Sequence, residues 1–309
     1  MSRTPSDPSI RPAPVWGARP YIMGILNVTP DSFSGDGLAR ERDIVAAAVD
    51  QAARFLAEGA DILDVGGEST RPGAAPVDAA EEIARTVPAI AAIRARFPDV
   101  PISIDTFKAE TAAAALDAGA DWINDVWGFR ADPEMAPLAA ARDCPVVLMH
   151  NRSKPGHAEI DRRLGGSYVA PAYGDFLPEV LAELQALADR AVAAGVRPER
   201  ILLDPGVGFG KTVAQNMVLI DALDRIRALG HPVLLGASRK SFIGKVLDVP
   251  AEERIDGTAA TTAVAVMRGV DVLRVHDVRM MARVARMTHA IVNAAARERA
   301  EAADRAGGA

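Results

Sequence analysis

Polar side chains able to accept, donate or carry a proton stand at the ends of a series of short apolar runs in this chain. Asn27 sits near the end of YIMGILNV, Glu68 follows DILDVGG, Asp105 lies in PISIDT, and Asn124 with Asp125 lies in WINDV. Further on, His150 ends PVVLMH, Asp204 lies in ILLDPG, Ser238 with Arg239 and Lys240 follows PVLLGA, and Arg274 with His276 lies in VLRVHD. Asp105 and Asp204 are embedded in apolar sequence, so they should be partly buried and need partners, because an unpaired charge away from water is costly. A ligand rich in hydrogen-bond donors would supply those partners. One polar residue at the end of one run is most simply the start of a loop or a helix cap. The same placement on nearly every run argues for a common site.

The runs cover 21–28, 61–67, 101–106, 122–126, 145–150, 201–206, 232–238 and 272–277, and they alternate with stretches of helical periodicity such as 44–57, 79–96, 109–118, 176–194 and 259–268. Strand and helix in alternation predict βα units and a parallel sheet. Eight strands close a barrel, so the expected fold class is α/β, a single (β/α)8 TIM barrel with extended βα loops at its C-terminal face. A doubly wound open sheet is the competing arrangement. In a barrel all strand C-termini open on one face, and the polar residues above would meet there. Gly59, Gly119, Gly195 and Gly269, in AEGAD, DAGAD, AAGV and MRGVD, are placed to end helices in left-handed turns into the next strand. The expected organisation is a disordered lead-in over 1–19, the barrel over 20–297 and a frayed tail over 298–309. The segment 151–175 is too long for a routine βα loop, which leaves a binding lid and a partly disordered stretch both open.

Composition narrows the function classes. The 309 residues carry a net charge of −6, which argues against broad binding to nucleic-acid phosphates. No apolar run approaches the ~20 residues of a membrane span. The proline-rich N-terminus has no hydrophobic centre and does not read as a secretory signal. One cysteine, Cys144, excludes an internal disulfide and fits a reducing, cytoplasmic setting. The glycine-rich Gly206-Val-Gly208-Phe-Gly210-Lys211-Thr212 is not a phosphate-binding P-loop, because the required first glycine is Pro205. Nor is it a dinucleotide fingerprint, since the third glycine would fall at Lys211.

ILNVTPDSFSGDG (25–37) and DVGGESTRPGA (64–74), followed in order by SIDTFK, INDVWG, VVLMH, LLDPGVGFGK, LLGASRKSFIG and RVHDV, resemble the dihydropteroate synthase family of pterin-binding enzymes. The resemblance runs from about Tyr21 to the last helix. It implies a transferase that joins 6-hydroxymethyl-7,8-dihydropterin pyrophosphate to p-aminobenzoate, with dissociation-led substitution at the pterin methylene. It implies that Asp105, Asn124, Asp204 and Lys240 bind the pterin, Asp204 taking the amino-pyrimidine edge; Met149 reads equally as a lining residue of that pocket and as a core methionine. Asn27, Arg274 and His276 would receive the pyrophosphate, with Mg2+ at Asn27. Phe33, Thr70, Arg71, Pro72, Phe209 and Ser241 would form the p-aminobenzoate site, and Asn27, Arg71, Lys240, Arg274 and His276 the catalytic set. A homodimer formed through outer helices belongs to the same resemblance, and the family it points to is a sulfonamide target. Asp64, Asp125 and His150 receive no direct substrate role.

One position departs from the family pattern. Where the first loop usually reads SFSDGG, this chain has Ser32-Phe33-Ser34-Gly35-Asp36-Gly37, so the aspartate stands one place later and Asp36 is left out of the catalytic set. Two other functions would use a similar pterin floor. A methyltetrahydrofolate-dependent corrinoid methyltransferase would have less use for Arg71, Lys240, Arg274 and His276, and a non-catalytic pterin-binding paralogue would have no need to keep them.

Overall fold

The computed structural model describes residues 14–29, 41–68, 76–153, 158–161, 165–169, 171–294 and 298. Eight parallel strands form the sheet: β1 (Tyr21–Asn27), β2 (Ile62–Gly66), β3 (Ile102–Asp105), β4 (Trp122–Asp125), β5 (Val146–Met149), β8 (Ile201–Asp204), β9 (Leu234–Leu235) and β10 (Val272–Val275). Their order is β8-β5-β4-β3-β2-β1-β10-β9, and a parallel bridge between Leu203 and Val233 joins β8 to the start of β9, closing the ring. The barrel is therefore the arrangement adopted, and the open sheet is excluded. The remaining pair, β6 (Ala158–Asp161) and β7 (Gly165–Tyr168), is an antiparallel hairpin inside the long segment after β5.

The helices on the outer face are α1 (Glu41–Glu58), α2 (Ala79–Arg96), α3 (Ala109–Asp117), α4 (Met135–Arg142), α5 (Phe176–Ala193), α6 (Val213–Asp221), α7 (Leu223–Arg227), α8 (Ser241–Leu247), α9 (Ile255–Met267) and α10 (Val278–Val292). The four glycines expected to end helices do so with positive φ: +105° at Gly59, +110° at Gly119, +100° at Gly195 and +78° at Gly269.

The period of two along each strand explains how an apolar run presents polar groups to a pocket. Outward residues such as Leu63, Ile104, Ile123, Leu148, Leu203 and Leu273 pack under the helices in one large cluster. Inward residues Met23, Ile62, Trp122, Val147, Leu202, Leu234 and Val272 form a separate apolar layer at the N-terminal end of the barrel. Two residues further along the same strands stand Ile25, Asp64, Asn124, Met149, Asp204, Gly236 and Arg274. The interior thus changes from dry to polar within one step of the strand, and the buried layer beneath makes the polar one a floor rather than a channel.

The lead-in departs from expectation at its inner end. Residues 1–13 lie outside the described residues, but 14–19 are seated on the bottom of the barrel. Trp16 meets Tyr21 and Trp122 edge-on at 5.8 and 6.1 Å between ring centroids, and the Gly17 amide donates to Asp271 Oδ1 at 2.9 Å. Arg19 forms a bidentate pair with Asp61. An indole over the open end of the apolar layer removes that layer from water, which proline content alone did not foretell. Among the described residues, no helix is long and apolar enough to cross a membrane.

Candidate active site

The polar floor is built around Arg274, whose side chain rises from β10 into the barrel. Its Nε donates to Asp64 Oδ2 at 2.6 Å and its Nη2 to Asp105 Oδ2, so one guanidinium links the second, third and last strands of the sheet. Asp64 is fully buried, and Asp105 is nearly so. Asn124, on the next strand, points its amide at both Asp64 oxygens at 3.3 and 3.4 Å. Burial pushes the Asp105 carboxyl up to about 7 against the lowering pull of Arg274, whereas the guanidinium, between two carboxylates, is held firmly charged.

Asp204 faces this cluster from β8. Its Oδ1 accepts the Gly206 amide at 2.7 Å, and a methyl group placed on Gly236 would lie 3.8 Å from Asp204 Oδ2 and 3.9 Å from Arg274 Cδ. Both side chains therefore border one open spot that the lack of a side chain at 236 preserves. Burial raises the Asp204 carboxyl above its ordinary range, opposed by its bond to Gly206 and by the charges of Lys240 and Arg274. Lys240 donates to Val207 O and stands 4.1 Å above the Phe209 ring, and burial lowers its ammonium to about 8. The apolar wall beside these groups is Val126, Trp127, Met149 and Phe209, with Phe107 packed against it.

Asn27 ends β1 at the same rim. A methyl group on Gly66 would lie 3.8 Å from Asn27 Oδ1 and 3.7 Å from Asp105 Oδ2. His276 lies two residues beyond Arg274, where its amide and Nδ1 both meet Ser238 Oγ, at 3.2 and 3.1 Å. Ser241 opens α8 directly after Lys240. The structure thus gathers Asp105, Asn124, Asp204, Lys240, Arg274, Met149 and Phe209, with Asn27, His276 and Ser241 on strand and helix ends of the same face. Phe33, Thr70, Arg71 and Pro72, together with Asp36, lie outside the described residues. No group of three His, Cys, Asp or Glu side chains able to hold a metal occurs among the described residues.

Three polar strand-end residues without a substrate role separate once the faces are known. Asp64 points inward and is half of the Arg274 cluster. Its signal in the sequence was the spacing Ile62, Asp64, Gly66, which puts it on the interior face. Asp125 points away from the floor, where its two oxygens accept the Trp127 and Phe129 amides at 2.7 and 2.9 Å and fix a turn in which Phe129 takes φ +63°. His150 points outward beneath α5, where Nε2 meets Glu183 Oε2 at 2.7 Å. Burial lowers this imidazole to about 4, so the neutral ring donates Nε2–H to a carboxylate that the bond holds near 2. Glu68, the other strand-end carboxylate, is tied to Lys108 at 2.5 Å and to the Val77 amide at 3.2 Å.

Comparison with known proteins agrees with this geometry. Residues 23–276 match the model of the pterin binding enzyme family. The chain is 48% identical over 277 residues to a dihydropteroate synthase of Clostridium beijerinckii, covering 89% of this chain and 96% of that protein. A crystal structure of dihydropteroate synthase from Clostridium difficile in the presence of pteroic acid superposes with a TM-score of 0.81 at 43% identity, over 90% of this chain and 99% of that one. The dihydropteroate synthase of Xanthomonas albilineans with 4-aminobenzoic acid gives 0.79 at 42% identity, over 89% and 94%.

Proposed function

Because this chain belongs to the pterin binding enzyme family, we propose that it is a transferase condensing 6-hydroxymethyl-7,8-dihydropterin pyrophosphate with p-aminobenzoate, giving 7,8-dihydropteroate and pyrophosphate. The observation that carries this reading is the convergence of Asp105, Asn124, Asp204 and Lys240 beside an apolar wall of Val126, Met149 and Phe209. A pterin is a flat ring with an apolar face and an edge of alternating donors and acceptors. The wall takes the face. Asp204, whose buried carboxyl lacks donors enough to hold its charge at ease, accepts the amino-pyrimidine N–H groups, and their approach favours its anion. Asn124 and Asp105 complete the edge, and Lys240 leaves the Val207 carbonyl to donate to a ring acceptor.

In the reaction the bond from the pterin methylene to the pyrophosphate oxygen breaks, with its electron pair leaving on the pyrophosphate. The amine nitrogen of p-aminobenzoate then bonds to the methylene and releases a proton to solvent. The protein's part is to hold the ring, receive the departing anion and keep water from the cation-like carbon. Arg274 and His276, on one strand end, receive the pyrophosphate, and Phe209 and Ser241 border the amine; the family resemblance adds Phe33, Thr70, Arg71 and Pro72, outside the described residues, to the p-aminobenzoate set. Asn27 offers one neutral oxygen at this rim, which fits a Mg2+ carried largely by pyrophosphate and water rather than by a protein cage. That ion would neutralise charge on the leaving group.

The test is incubation of the purified chain with the dihydropterin pyrophosphate, p-aminobenzoate and Mg2+, with product followed by chromatography. Dihydropteroate should accumulate. None formed where an established synthase succeeds would overturn the reading. A cytoplasmic setting suits the buried Cys144 thiol, which burial raises to about 11 and makes unreactive.

We further propose a homodimer. Met217 on α6, Val246 and Leu247 on α8, and Val264 on α9 are exposed around an apolar cavity of about 370 Å³, and Met267 on α9 is exposed as well. A contiguous face of this kind on adjacent helices suits a self-complementary interface. Sedimentation at micromolar concentration should give a dimer that Leu247→Glu converts to monomer. A monomeric parent chain, or a variant that remains dimeric, would exclude this face.

A further inference from the structure

Lys211 takes no part in the reaction as described, yet it is among the most completely satisfied cations in the molecule. Its side chain is buried, and its ammonium donates to the carbonyls of Gly206 at 2.9 Å, Phe209 at 3.1 Å and His150 at 3.3 Å. An ammonium has three N–H donors, so every one is spent on a backbone carbonyl. Two of those carbonyls belong to the loop after β8 and one to the end of β5. Burial lowers this ammonium to about 7, while the Asp204 charge nearby pulls it upward.

The loop needs such a partner because of how closely it approaches β5. Gly206 has φ +68°, and a methyl group there would lie 1.9 Å from the His150 carbonyl oxygen and 3.2 Å from Lys211 Nζ. Three carbonyl oxygens within 3.3 Å of one nitrogen bring their negative ends together, and a cation between them turns that repulsion into attraction. The same loop governs the pocket: the Gly206 amide orients Asp204, and Phe209 forms part of the wall. A second latch, the Gly208 amide on Asn216 Oδ1 at 2.7 Å, fastens the outer side only.

Lys240 also holds this loop, through Val207 O, but Lys240 is the residue that turns to the substrate. When it does, Val207 O is released and Lys211 is the cation that stays. We propose that Lys211 is a positioning residue, whose clasp on the Gly206, Phe209 and His150 carbonyls keeps the Asp204 carboxylate and the Phe209 ring in place for the pterin while Lys240 moves. This inference rests on the pterin-binding reading above.

Full-length Lys211→Met and Lys211→Gln separate the outcomes, each measured for cooperative melting and for binding of the dihydropterin pyrophosphate without p-aminobenzoate. The methionine variant should fold and bind roughly tenfold or more weakly, the scale of lost hydrogen bonds to a buried charged group. Glutamine, with two N–H donors on a similar stem, should recover part of the affinity. Unchanged pterin affinity in a folded Lys211→Met protein would overturn the proposal. So would equal weakness of both folded variants, or failure of both to fold, which would make Lys211 a residue of general stability. Failure of the underlying reading is distinguishable, because the unaltered chain would then itself neither bind the dihydropterin pyrophosphate nor form dihydropteroate.

Discussion

Asp204→Ala should lose pterin binding by roughly a thousandfold, about 4 kcal/mol, the scale of two charge-assisted hydrogen bonds in a buried site. Three contributions add. The substitution removes the proposed acceptor for the amino-pyrimidine edge, and it frees the Gly206 amide now held at 2.7 Å, so the loop bearing Phe209 loses its inner anchor. It also removes the anion that helps keep Lys240 charged despite burial. Titration calorimetry with the dihydropterin pyrophosphate measures the effect directly. Asp204→Asn is the useful companion, since it keeps shape and one acceptor oxygen and should bind better than alanine. Affinity within threefold of the parent chain after Asp204→Ala would refute the pocket assignment, whatever happened to turnover.

Arg274→Met should destabilise the fold by about 3–5 kcal/mol, the usual cost of removing one partner from a buried ion pair. The reason is local: Asp64 and Asp105 are both buried and both bonded to this guanidinium, so its removal leaves two carboxyl groups facing each other without their cation. The pH dependence distinguishes this cause from lost packing. Asp105 is already pushed from 3.8 to about 7 with Arg274 present, and Arg274 acts to lower it. Without Arg274 it must rise further. Between the unfolded and folded values the folded chain binds the extra proton, so stability falls as pH rises through that window. The deficit of Arg274→Met relative to the parent should therefore shrink in urea unfolding at pH 5 and grow at pH 8. A deficit equal at both pH values would point to packing alone. Turnover should fall with stability, because Arg274 is also the cation proposed above to receive the departing pyrophosphate.

Much of this site was legible in the order of residues. Runs such as ISID and ILLD place a carboxylate two positions beyond or beside apolar residues, and strand periodicity with parallel order is enough to bring Asp105, Asn124 and Asp204 to one end of one barrel. The family motifs add the chemical identity of what binds there. Less legible were residues whose roles depend on facing. Asn124 and Asp125 are neighbours in sequence, but the strand sends one to the floor and the other to a turn behind it. His150 directly follows its strand and Asp204 ends its own, yet the His150 ring goes under α5 to Glu183. In sequence Lys211 stands in a glycine-rich stretch that does not fit the phosphate-loop pattern, and only its three carbonyl partners give it a place.

The sequence by itself determined the barrel, because eight apolar runs separated by helical segments have one economical way to bury both faces of a parallel sheet. It likewise determined which end is polar, through the residues that close each run. Tertiary structure alone decided the pairings inside that end. Arg274 meets Asp64 across 210 positions of chain because β10 and β2 flank β1 in the closed ring. No local rule of spacing carries that information. It resides in the register of neighbouring strands and in the need of each buried charge for a partner, conditions met only once the ring has closed.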